Sequence, residues 1–459
     1  MNALLIRRAL AVAVMDDRDT VLRDADVLLE GPAIRAVGPD LAAPPGTRIL
    51  DGSGKVVVPG LVNTHHHLYQ TLFRAVPAAQ DATLFEWLTT LYPLWAGITP
   101  EAVRTSALVG LGELLLSGCT TAADHFYLFP RGQPATLLDE TVAAARELGI
   151  RFHPTRGSMS VGKSKGGLPP DHVVQTEDEI LRDSERFIGA FHDPQRFALC
   201  RVGLAPCSPF SVSPELMRDT AVLARRHHVT LHTHLAETLD EERYCLDRFH
   251  KRPFALARDL GWVGPDVWFA HAVHLSDEEV AEMGRTRTGV AHCPSSNLRL
   301  GSGIARIPDL VKAGARVGLA VDGSASNDSS DLLAEVRQCM LVHRLGAGVR
   351  GMSARLALRL GSRGGAEVLG REDVGRLEPG MAADLALFDV EDIAYAGALH
   401  DPVAALAFCV GRRRAHTVLV NGEPVVENGR LVRVDEERLV RRQNELAAKL
   451  VPGTERTAR

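Results

Sequence analysis

The chain has 459 residues, of which 45% are hydrophobic and 24% are charged, and its formal net charge is -5. This is the composition of a globular protein, and the small negative charge gives no reason to expect nucleic acid or an anionic membrane as a partner. The seven cysteines include no Cys-x-x-Cys pair, which predicts free thiols in a reducing compartment rather than a disulfide framework.

Both ends of the chain predict short β-strands. Residues 4–14 carry the alternating pattern of a strand, and far along the chain Asn421-Gly422 marks a hairpin turn after an apolar run. We therefore expect residues 1–58 and 371–435 to form one composite β-sandwich.

The chain ends show no pattern of secretion or membrane insertion. Arg7 and Arg8 follow the first apolar stretch instead of preceding it, which is not the order of a signal peptide. No apolar run approaches the ~20 residues that span a bilayer. We expect a cytoplasmic protein without a membrane partner, in which residues 436–459 form a charged helix and a frayed tail.

Between the terminal segments, apolar strand candidates alternate with stretches of helical periodicity, which indicates a parallel sheet. The strand candidates are 56–67, 119–125, 151–157, 201–207, 230–237, 267–273, 288–294 and 316–323. The clearest helical segments are Pro100–Leu116, Glu177–Phe191, Pro214–His228 and Asp277–Met283. Eight strand–helix units predict an α/β fold, a (β/α)8 TIM-like barrel over residues 59–370. An open doubly wound sheet is the alternative, but no Gly-x-Gly-x-x-Gly follows the first strand.

Four of the predicted strands end in side chains that can bind a metal, and the carboxyl ends of barrel strands are where active sites form. The candidates are His65 and His67 after the first strand, His232, His234 and Glu237 after the fifth, His271 and His274 after the sixth, and Asp322 after the eighth. Three imidazoles and one carboxylate suit Zn²⁺, or Fe²⁺, and such a metal activates a water molecule. We expect the ligands to be His65, His67, His234 and Asp322. Glu237 would then act as acid and base, and His271 would stabilise charge.

Spacing alone leaves two choices open. His232 and His234 share one face of their strand, so alternation does not decide which of them binds the metal. His271 and His274 pose a similar choice. His66 is expected to be a structural histidine.

The lysines bear on the number of metal ions. Some two-metal hydrolases need a carboxylated lysine at a strand end in the middle of the barrel, and none of the six lysines of this chain falls at a strand end. We therefore expect one metal ion per chain.

The motifs resemble those of the amidohydrolase superfamily, and within it the mononuclear aminohydrolases. The matching segments are 59–67, 233–238, 270–275, 321–323 and 377–385. The resemblance implies a distorted barrel with a β-sandwich from both termini, and homo-oligomers are common in the family. It selects His234 as the ligand and His271 for the charge-stabilising role. It also implies that Glu237 protonates a ring nitrogen, and that Asp322 carries a proton from the attacking water to departing ammonia.

The loop after the first predicted strand bears on the substrate. Residues 69–95, together with 117–125, resemble segments of bacterial 8-oxoguanine deaminases, and triazine hydrolases have related loops. Gln70 offers a donor and an acceptor to a base edge, Trp95 is a candidate to pack against a ring, and Cys207 leaves room for a ring substituent. We expect a small heterocyclic substrate, with 8-oxoguanine converted to urate and ammonia.

Several alternatives to that substrate stay open. They are guanine or isocytosine, nucleosides of the methylthioadenosine type, and triazines, which are substrates of aminohydrolases and chlorohydrolases. Plain guanine is disfavoured because guanine deaminases carry an Arg-Phe pair where this chain has Cys207-Ser208. A non-catalytic scaffold is also disfavoured, since such proteins lose metal ligands and this chain retains the full set.

Overall fold

A computed structural model describes residues 3–409, 411 and 414–452. The first two and last seven residues of the predicted terminal segments, 1–2 and 453–459, lie outside the described residues. The same holds for positions 410, 412 and 413 within the predicted sandwich. Among the helices of the described residues, none is both long and apolar enough to cross a membrane.

The strands of the described residues form two sheets. In chain order they are β1 (Ala3–Ala13), β2 (Val21–Glu30), β3 (Ala33–Gly38), β4 (Arg48–Asp51), β5 (Lys55–Pro59), β6 (Leu61–Asn63), β7 (Cys119–Phe126), β8 (Arg151–Ser158), β9 (Gly203–Pro206), β10 (Thr230–Leu235), β11 (Val267–His271), β12 (Gly289–His292), β13 (Arg316–Leu319), β14 (Leu385–Asp389), β15 (Thr417–Val420), β16 (Glu423–Glu427) and β17 (Arg430–Leu431). Strands from both chain ends form the first sheet, in the order β17-β16-β15-β14-β5-β1-β2-β3 with β4 beside β1. The prediction that both terminal segments build one β structure is confirmed.

The second sheet is the predicted barrel. Strands β6 to β13 lie side by side in chain order, and every neighbouring pair is parallel. The first and last strands approach each other, because Thr64 N donates to Leu319 O at 3.1 Å and Asp322 N donates to His65 O at 3.2 Å. The sheet is therefore nearly closed, and the carboxyl ends of its strands meet at one mouth.

The first predicted strand, 56–67, is wrong as a single element. Lys55–Pro59 pairs in the terminal sheet, while Leu61–Asn63 starts the barrel. The chain changes sheets at Gly60, where an added Cβ would lie 2.0 Å from Thr120 Oγ1, so this joint requires glycine. His65 and His67 consequently follow the strand instead of lying on it.

The helices surround the barrel in the order expected for strand–helix units. They are α1 (Leu84–Trp95), α2 (Pro100–Leu116), α3 (Leu137–Leu148), α4 (Glu177–Phe191), α5 (Pro214–Arg226), α6 (Leu239–Phe249), α7 (Pro253–Asp259), α8 (Asp277–Thr286), α9 (Pro294–Arg299), α10 (Ile307–Ala313), α11 (Leu332–Ala347), α12 (Ala354–Arg359), α13 (Gly365–Val368), α14 (Pro402–Phe408) and α15 (Glu436–Leu450), with a 3-10 helix at Leu68–Phe73 and a π turn at Leu360–Gly364. The predicted starts of α2, α4 and α5 are correct because Thr99, Thr176 and Ser213 cap them by accepting a backbone N–H of the first turn.

A buried ion pair joins the two sheets. Arg151 on β8 donates through Nε and Nη2 to both carboxylate oxygens of Asp384, each at 2.9 Å, and both side chains are buried. Such a two-point bond fixes the orientation as well as the separation of its partners. It anchors the chain just before β14 to the barrel.

Candidate active site

The histidine triplet lies at the mouth of the barrel, held by an asparagine at the end of β6. Asn63 donates through Nδ2 to His65 O at 3.1 Å and accepts through Oδ1 from Val321 N at 2.9 Å. The residue after Val321 is Asp322, whose N–H donates to the same carbonyl of His65. These bonds place Asp322 opposite the segment that carries His65 and His67.

Two of the predicted ligands present the same ring nitrogen to this space. His67 Nδ1 lies 2.7 Å from His125 O, and His234 Nδ1 lies 2.7 Å from Cys207 O. Because a carbonyl can only accept, each Nδ1 carries the hydrogen. Nε2 of both rings therefore has a free lone pair, as a metal ligand requires.

A chain of two bonds gives His65 the same tautomer. His232 Nδ1 lies 3.0 Å from Trp268 O, so it carries the hydrogen and leaves His232 Nε2 as an acceptor. His65 Nδ1 donates to that Nε2 at 2.7 Å. His232 uses both ring nitrogens in this way, so of the two histidines on β10 it is His234 whose free nitrogen faces the space.

The free nitrogens and one carboxylate oxygen converge. His67 Nε2 lies 3.1 Å from His234 Nε2, and Asp322 Oδ1 lies 3.2 Å from His65 Nε2 and 3.4 Å from His67 Nε2. Burial lowers the pKa of each imidazole, that of His234 to about 3, so the rings are neutral. His65 Nε2 is buried and has no hydrogen-bond partner in the described part of the chain. These donors fit one divalent cation.

Two further ionisable groups border this cluster. His271 Nε2 lies 3.6 Å from Glu237 Oε2 and 3.9 Å from Asp322 Oδ2. Burial alone would lower the pKa of His271, but the two carboxylates outweigh it and raise that pKa above its ordinary value. Burial raises the pKa of Glu237, against the opposing effect of His271. Glu237 and His271 therefore lie side by side, each with a pKa above its ordinary value.

The sequence profile of the amidohydrolase family matches residues 56–425 of the chain. The chain belongs to the amidohydrolase family. It is therefore a hydrolase, and the resemblance drawn from its motifs is confirmed.

Individual amidohydrolases of known activity match the chain along nearly its whole length. It is 46% identical over 454 residues to an 8-oxoguanine deaminase of Pseudomonas aeruginosa, covering 99% of this chain and 100% of that one. It is 37% identical to a hydroxydechloroatrazine ethylaminohydrolase of a Pseudomonas strain, with 95% and 94% covered. The zinc complex of an atrazine chlorohydrolase of Arthrobacter aurescens superposes with a TM-score of 0.93 at 38% identity, covering 97% and 100%.

The site of this amidohydrolase stores backbone strain at three strand ends. Ala236, His271 and Asp322 have φ values of 53°, 71° and 60°, a left-handed conformation that is rare for residues other than glycine. Each follows or ends a barrel strand, where the turn aims a side chain into the mouth. Such strain is typical of functional sites, and the sequence contained no signal for it.

Glu237 is held by a second glutamate that the sequence analysis did not single out. Glu241 accepts from Ala236 N at 2.9 Å and from Glu237 N at 2.8 Å. It is fully buried, and burial raises its pKa to about 7. The four-residue spacing from Glu237, at the start of α6, was the available signal.

The short helix α9 supplies two more residues that the sequence analysis missed. Ser296 Oγ donates to Asp322 Oδ2 at 2.6 Å, and Asn297 Oδ1 lies 2.8 Å from His271 Nδ1. The asparagine accepts from Nδ1 and so fixes the orientation of the His271 ring, with Nε2 toward the site. Both residues lie a few positions after the seventh barrel strand, and this position was the signal that could have found them.

A cavity opens beside the cluster, with apolar walls and a polar floor. Its lining consists of His67, Gln70, Leu84, Trp87, Leu88, Tyr92, Tyr127, Cys207, Phe210, His234, Glu237, His271, Leu300, Asp322 and Ser326. Predicted acid, base and metal-binding groups thus face the same space as the predicted substrate residues Gln70 and Cys207. Apolar walls with a few convergent polar groups are the ordinary form of a small-molecule site.

The three predicted substrate residues differ in their placement. Both amide atoms of Gln70 are buried without a hydrogen-bond partner among the described residues, and Gly323 leaves room for them, since a Cβ there would lie 1.9 Å from Gln70 Oε1. Burial raises the pKa of the Cys207 thiol to about 12, so it stays protonated. Trp95 does not line the cavity. Its ring packs edge to face against the ring of Trp87, with the two ring centroids 5.2 Å apart, and Trp87 lines the cavity instead.

The remaining histidines of the motifs point elsewhere. His66 Nε2 lies 2.9 Å from Ser330 Oγ, and His274 Nε2 lies 2.9 Å from Ser302 O. Neither lines the cavity. Both have the placement expected of structural histidines.

Proposed function

We propose that this amidohydrolase removes the amino group of 8-oxoguanine by hydrolysis, giving urate and ammonia. The observation that carries the proposal is Gln70, whose unpaired amide lies in the same cavity as the metal-ligand cluster. A buried amide without partners costs free energy unless a ligand satisfies it, and a carboxamide matches the mixed donor and acceptor edge of a purine. The 46% identity to an 8-oxoguanine deaminase supports the same substrate.

The metal of this site is proposed to be one zinc ion, held by His65, His67, His234 and Asp322. Zinc at these ligands supplies a Lewis acid that brings the loss of a proton from water to near-neutral pH. Three imidazoles and one carboxylate also accept Fe²⁺, so metal analysis of the purified protein decides between the two ions.

Two carboxyl side chains, those of Glu237 and Asp322, are proposed to carry out the proton transfers. Glu237, whose pKa is raised by burial, donates a proton to the ring nitrogen beside the carbon that bears the amino group. Asp322 takes a proton from the attacking water and returns it to the departing nitrogen. His271, whose pKa is raised by the charges of the nearby Glu237 and Asp322, is proposed to carry a proton on Nε2 and to stabilise negative charge on the attacking oxygen. One C–N bond breaks, and one water is consumed for each ammonia released.

The cavity walls are proposed to hold the ring in place. Trp87 and Phe210 offer aromatic faces for packing. Tyr127, also in the lining, adds a hydroxyl, and Cys207 adds a thiol that burial keeps protonated. With Gln70 these groups are proposed to contact the ring.

A direct assay tests this function. Purified, zinc-loaded enzyme is expected to consume 8-oxoguanine with one ammonia released per purine lost, and faster than it consumes guanine, isocytosine or methylthioadenosine. Glu237→Gln is expected to lower kcat by about 10²- to 10⁴-fold, because it removes the acid, while Glu242→Gln, which changes a neighbour paired with Arg252, leaves kcat close to wild type. Absence of ammonia release from 8-oxoguanine would refute the proposal.

An N-alkylated triazine is a second candidate substrate. The observation that favours it is the apolar part of the lining, in which Leu84, Leu88 and Leu300 stand beside the aromatic residues and suit alkyl substituents. The similarity to triazine-directed enzymes points the same way. Adding a hydroxylated triazine to the panel separates the candidates, since a higher kcat/KM for it than for 8-oxoguanine would reverse their order.

A further inference from the structure

The carboxyl-terminal helix α15 packs against the segment that carries Gln70, although the two are far apart in the sequence. The inner face of α15 carries Leu439, Leu446 and Leu450, and Gln443 lies in the middle of this apolar stripe. Gln443 is buried. A polar side chain in such a position requires a specific partner to offset the loss of its hydration.

That partner is the residue next to Gln70. Gln443 Nε2 donates to Thr71 Oγ1 at 3.0 Å, and Thr71 Oγ1 lies 3.1 Å from Ser106 O. Because the carbonyl of Ser106 can only accept, the hydroxyl of Thr71 must donate to it, and its oxygen must accept from Gln443. The orientation of the Gln443 amide is therefore fixed by the chain of bonds.

The 3-10 helix Leu68–Phe73 packs against neighbouring segments on two sides. On the cavity side, Gln70 packs directly on Gly323. On the opposite side, a Cβ added to Gly110 of α2 would lie 3.2 Å from Thr71 Cγ2, so α2 and Thr71 are in close contact. Because Thr71 directly follows Gln70 in the same 3-10 helix, a shift of Thr71 would also move Gln70 within the cavity.

We propose that Gln443 is a positioning residue for substrate recognition, which acts by holding the 3-10 helix on which Gln70 lies. The inference rests on the proposed function in one respect, namely that Gln70 contacts the substrate ring. It assigns to the carboxyl-terminal helix a part in selecting the substrate, at a distance from the chemical step.

A double-mutant cycle tests this role. The four proteins are wild type, Gln70→Ala, Gln443→Leu and the double variant, assayed with whichever panel substrate wild type turns over fastest. Gln443→Leu keeps the volume but removes the donor, and it is expected to raise KM about 5- to 10-fold, the effect of one lost hydrogen bond, with kcat within about twofold. In the Gln70→Ala background the same change is expected to leave KM within about twofold.

The exposed neighbour on the same helix provides the control. Asn444→Leu adds the same side chain one position further along, on the outer face of α15, and is expected to leave KM unchanged. A Gln443→Leu protein with wild-type KM would overturn the inference. So would an equal rise of KM in the Gln70→Ala background, because it would show a general loosening of the fold.

A second measurement needs no substrate and keeps the two proposals separable. Amide hydrogen exchange of the peptide covering residues 68–73 is expected to be faster in Gln443→Leu than in wild type, at a Tm within a few degrees. Unchanged exchange in that peptide would also overturn the inference. A wild-type enzyme that fails to deaminate 8-oxoguanine would refute only the proposed substrate.

Discussion

The orientation of His271 depends on a single asparagine. Its Nδ1 has Asn297 Oδ1 as partner at 2.8 Å, and this bond leaves Nε2 toward Glu237 and Asp322. A group that orients a functional imidazole contributes to activity through that imidazole.

Asn297→Ala is expected to lower kcat/KM about 10- to 100-fold, the usual effect of removing such a partner. The reason is that the ring of His271 loses the hydrogen bond that fixes its orientation. Steady-state kinetics measures the change, and Leu298→Ala is the control because Leu298 is the next residue of the same helix and is exposed. Equal activities of the two variants would show that His271 needs no such support.

Side chains at strand ends were predicted from the sequence, whereas the residues that hydrogen-bond and orient them were not. Alternation and the barrel hypothesis indicated His65, His67 and Asp322, because every strand of a parallel barrel ends at the same mouth. Spacing did not separate His234 from His232; the family resemblance selected His234, and the hydrogen bond of His232 to Trp268 O supplies the physical reason. No spacing rule contains that bond, since it joins two strands through a side chain.

Among the elements, the joint between β5 and β6 is the least tolerant of change. The sequence predicted one strand over 56–67 because the apolar run continues through Pro59 and Gly60, and apolar periodicity does not report which sheet a strand joins. In the structure the run is divided between two sheets at Gly60. The position of the joint follows from a close approach to Thr120.

Gly60→Ala is expected to destabilise the protein by about 1–3 kcal/mol, as forced overpacking does in a dense core. The added Cβ would meet the side chain of Thr120, which is itself buried. Thermal unfolding measures the effect as a lower Tm. Gly189→Ala is the matched control: nothing lies within 4 Å of its added Cβ, and alanine is the better helix former in α4. A Tm of Gly60→Ala at or above that of Gly189→Ala would contradict the expectation.

Trp95 shows why aromatic residues of a predicted loop are difficult to assign. The segment forms the helix α1 instead of a loop, and helical periodicity directs Trp87 and Trp95 to neighbouring positions of one apolar face. Their rings touch edge to face, and only the ring of Trp87 reaches the cavity. The sequence predicted an aromatic wall for the cavity, and the helix geometry determines that Trp87 is the tryptophan that lines it.

At the scale of the whole molecule, the proposed metal site would join the two edges of the barrel. His65 and His67 follow β6, whereas Asp322 follows β13, so a cation at the proposed ligands would bridge the first and last strands. A ligand that binds only the folded state stabilises it by mass action. The barrel was predictable as a whole because eight apolar strands alternate with helices, but its closure depends on the backbone bonds near Thr64 and Asp322.

Removal of the metal by a chelator is expected to abolish deamination and to lower Tm by several degrees. Re-addition of zinc is expected to restore both, because ligand binding raises the stability of the native state reversibly. Metal analysis before and after dialysis gives the number of ions per chain. Full activity in metal-free protein would contradict the assignment of His65, His67, His234 and Asp322 as ligands.

Burial of ionisable groups makes the stability of the whole protein depend on pH. Burial lowers the pKa of His343 on α11 from 6.5 to about 4. Between these values the unfolded chain binds the proton and the folded one does not, so stability rises with pH. Burial raises the pKa of Glu335, on the same helix, from 4.5 to about 7. Here the folded chain binds the proton, so this group makes stability fall as pH rises through that window.

Two variants on α11 are therefore expected to change the pH dependence in opposite directions. Between pH 4.5 and 6.5, His343→Gln removes a contribution that rises with pH and flattens the profile of the unfolding free energy. Glu335→Gln removes one that falls with pH and steepens it. Each full shift corresponds to about 3 kcal/mol, at 1.36 kcal/mol per pKa unit. Denaturant titrations of metal-free protein measure both profiles, since a bound cation would compete with protons at its own ligands. Slopes that change in the same direction would show that burial of these two side chains does not set their protonation.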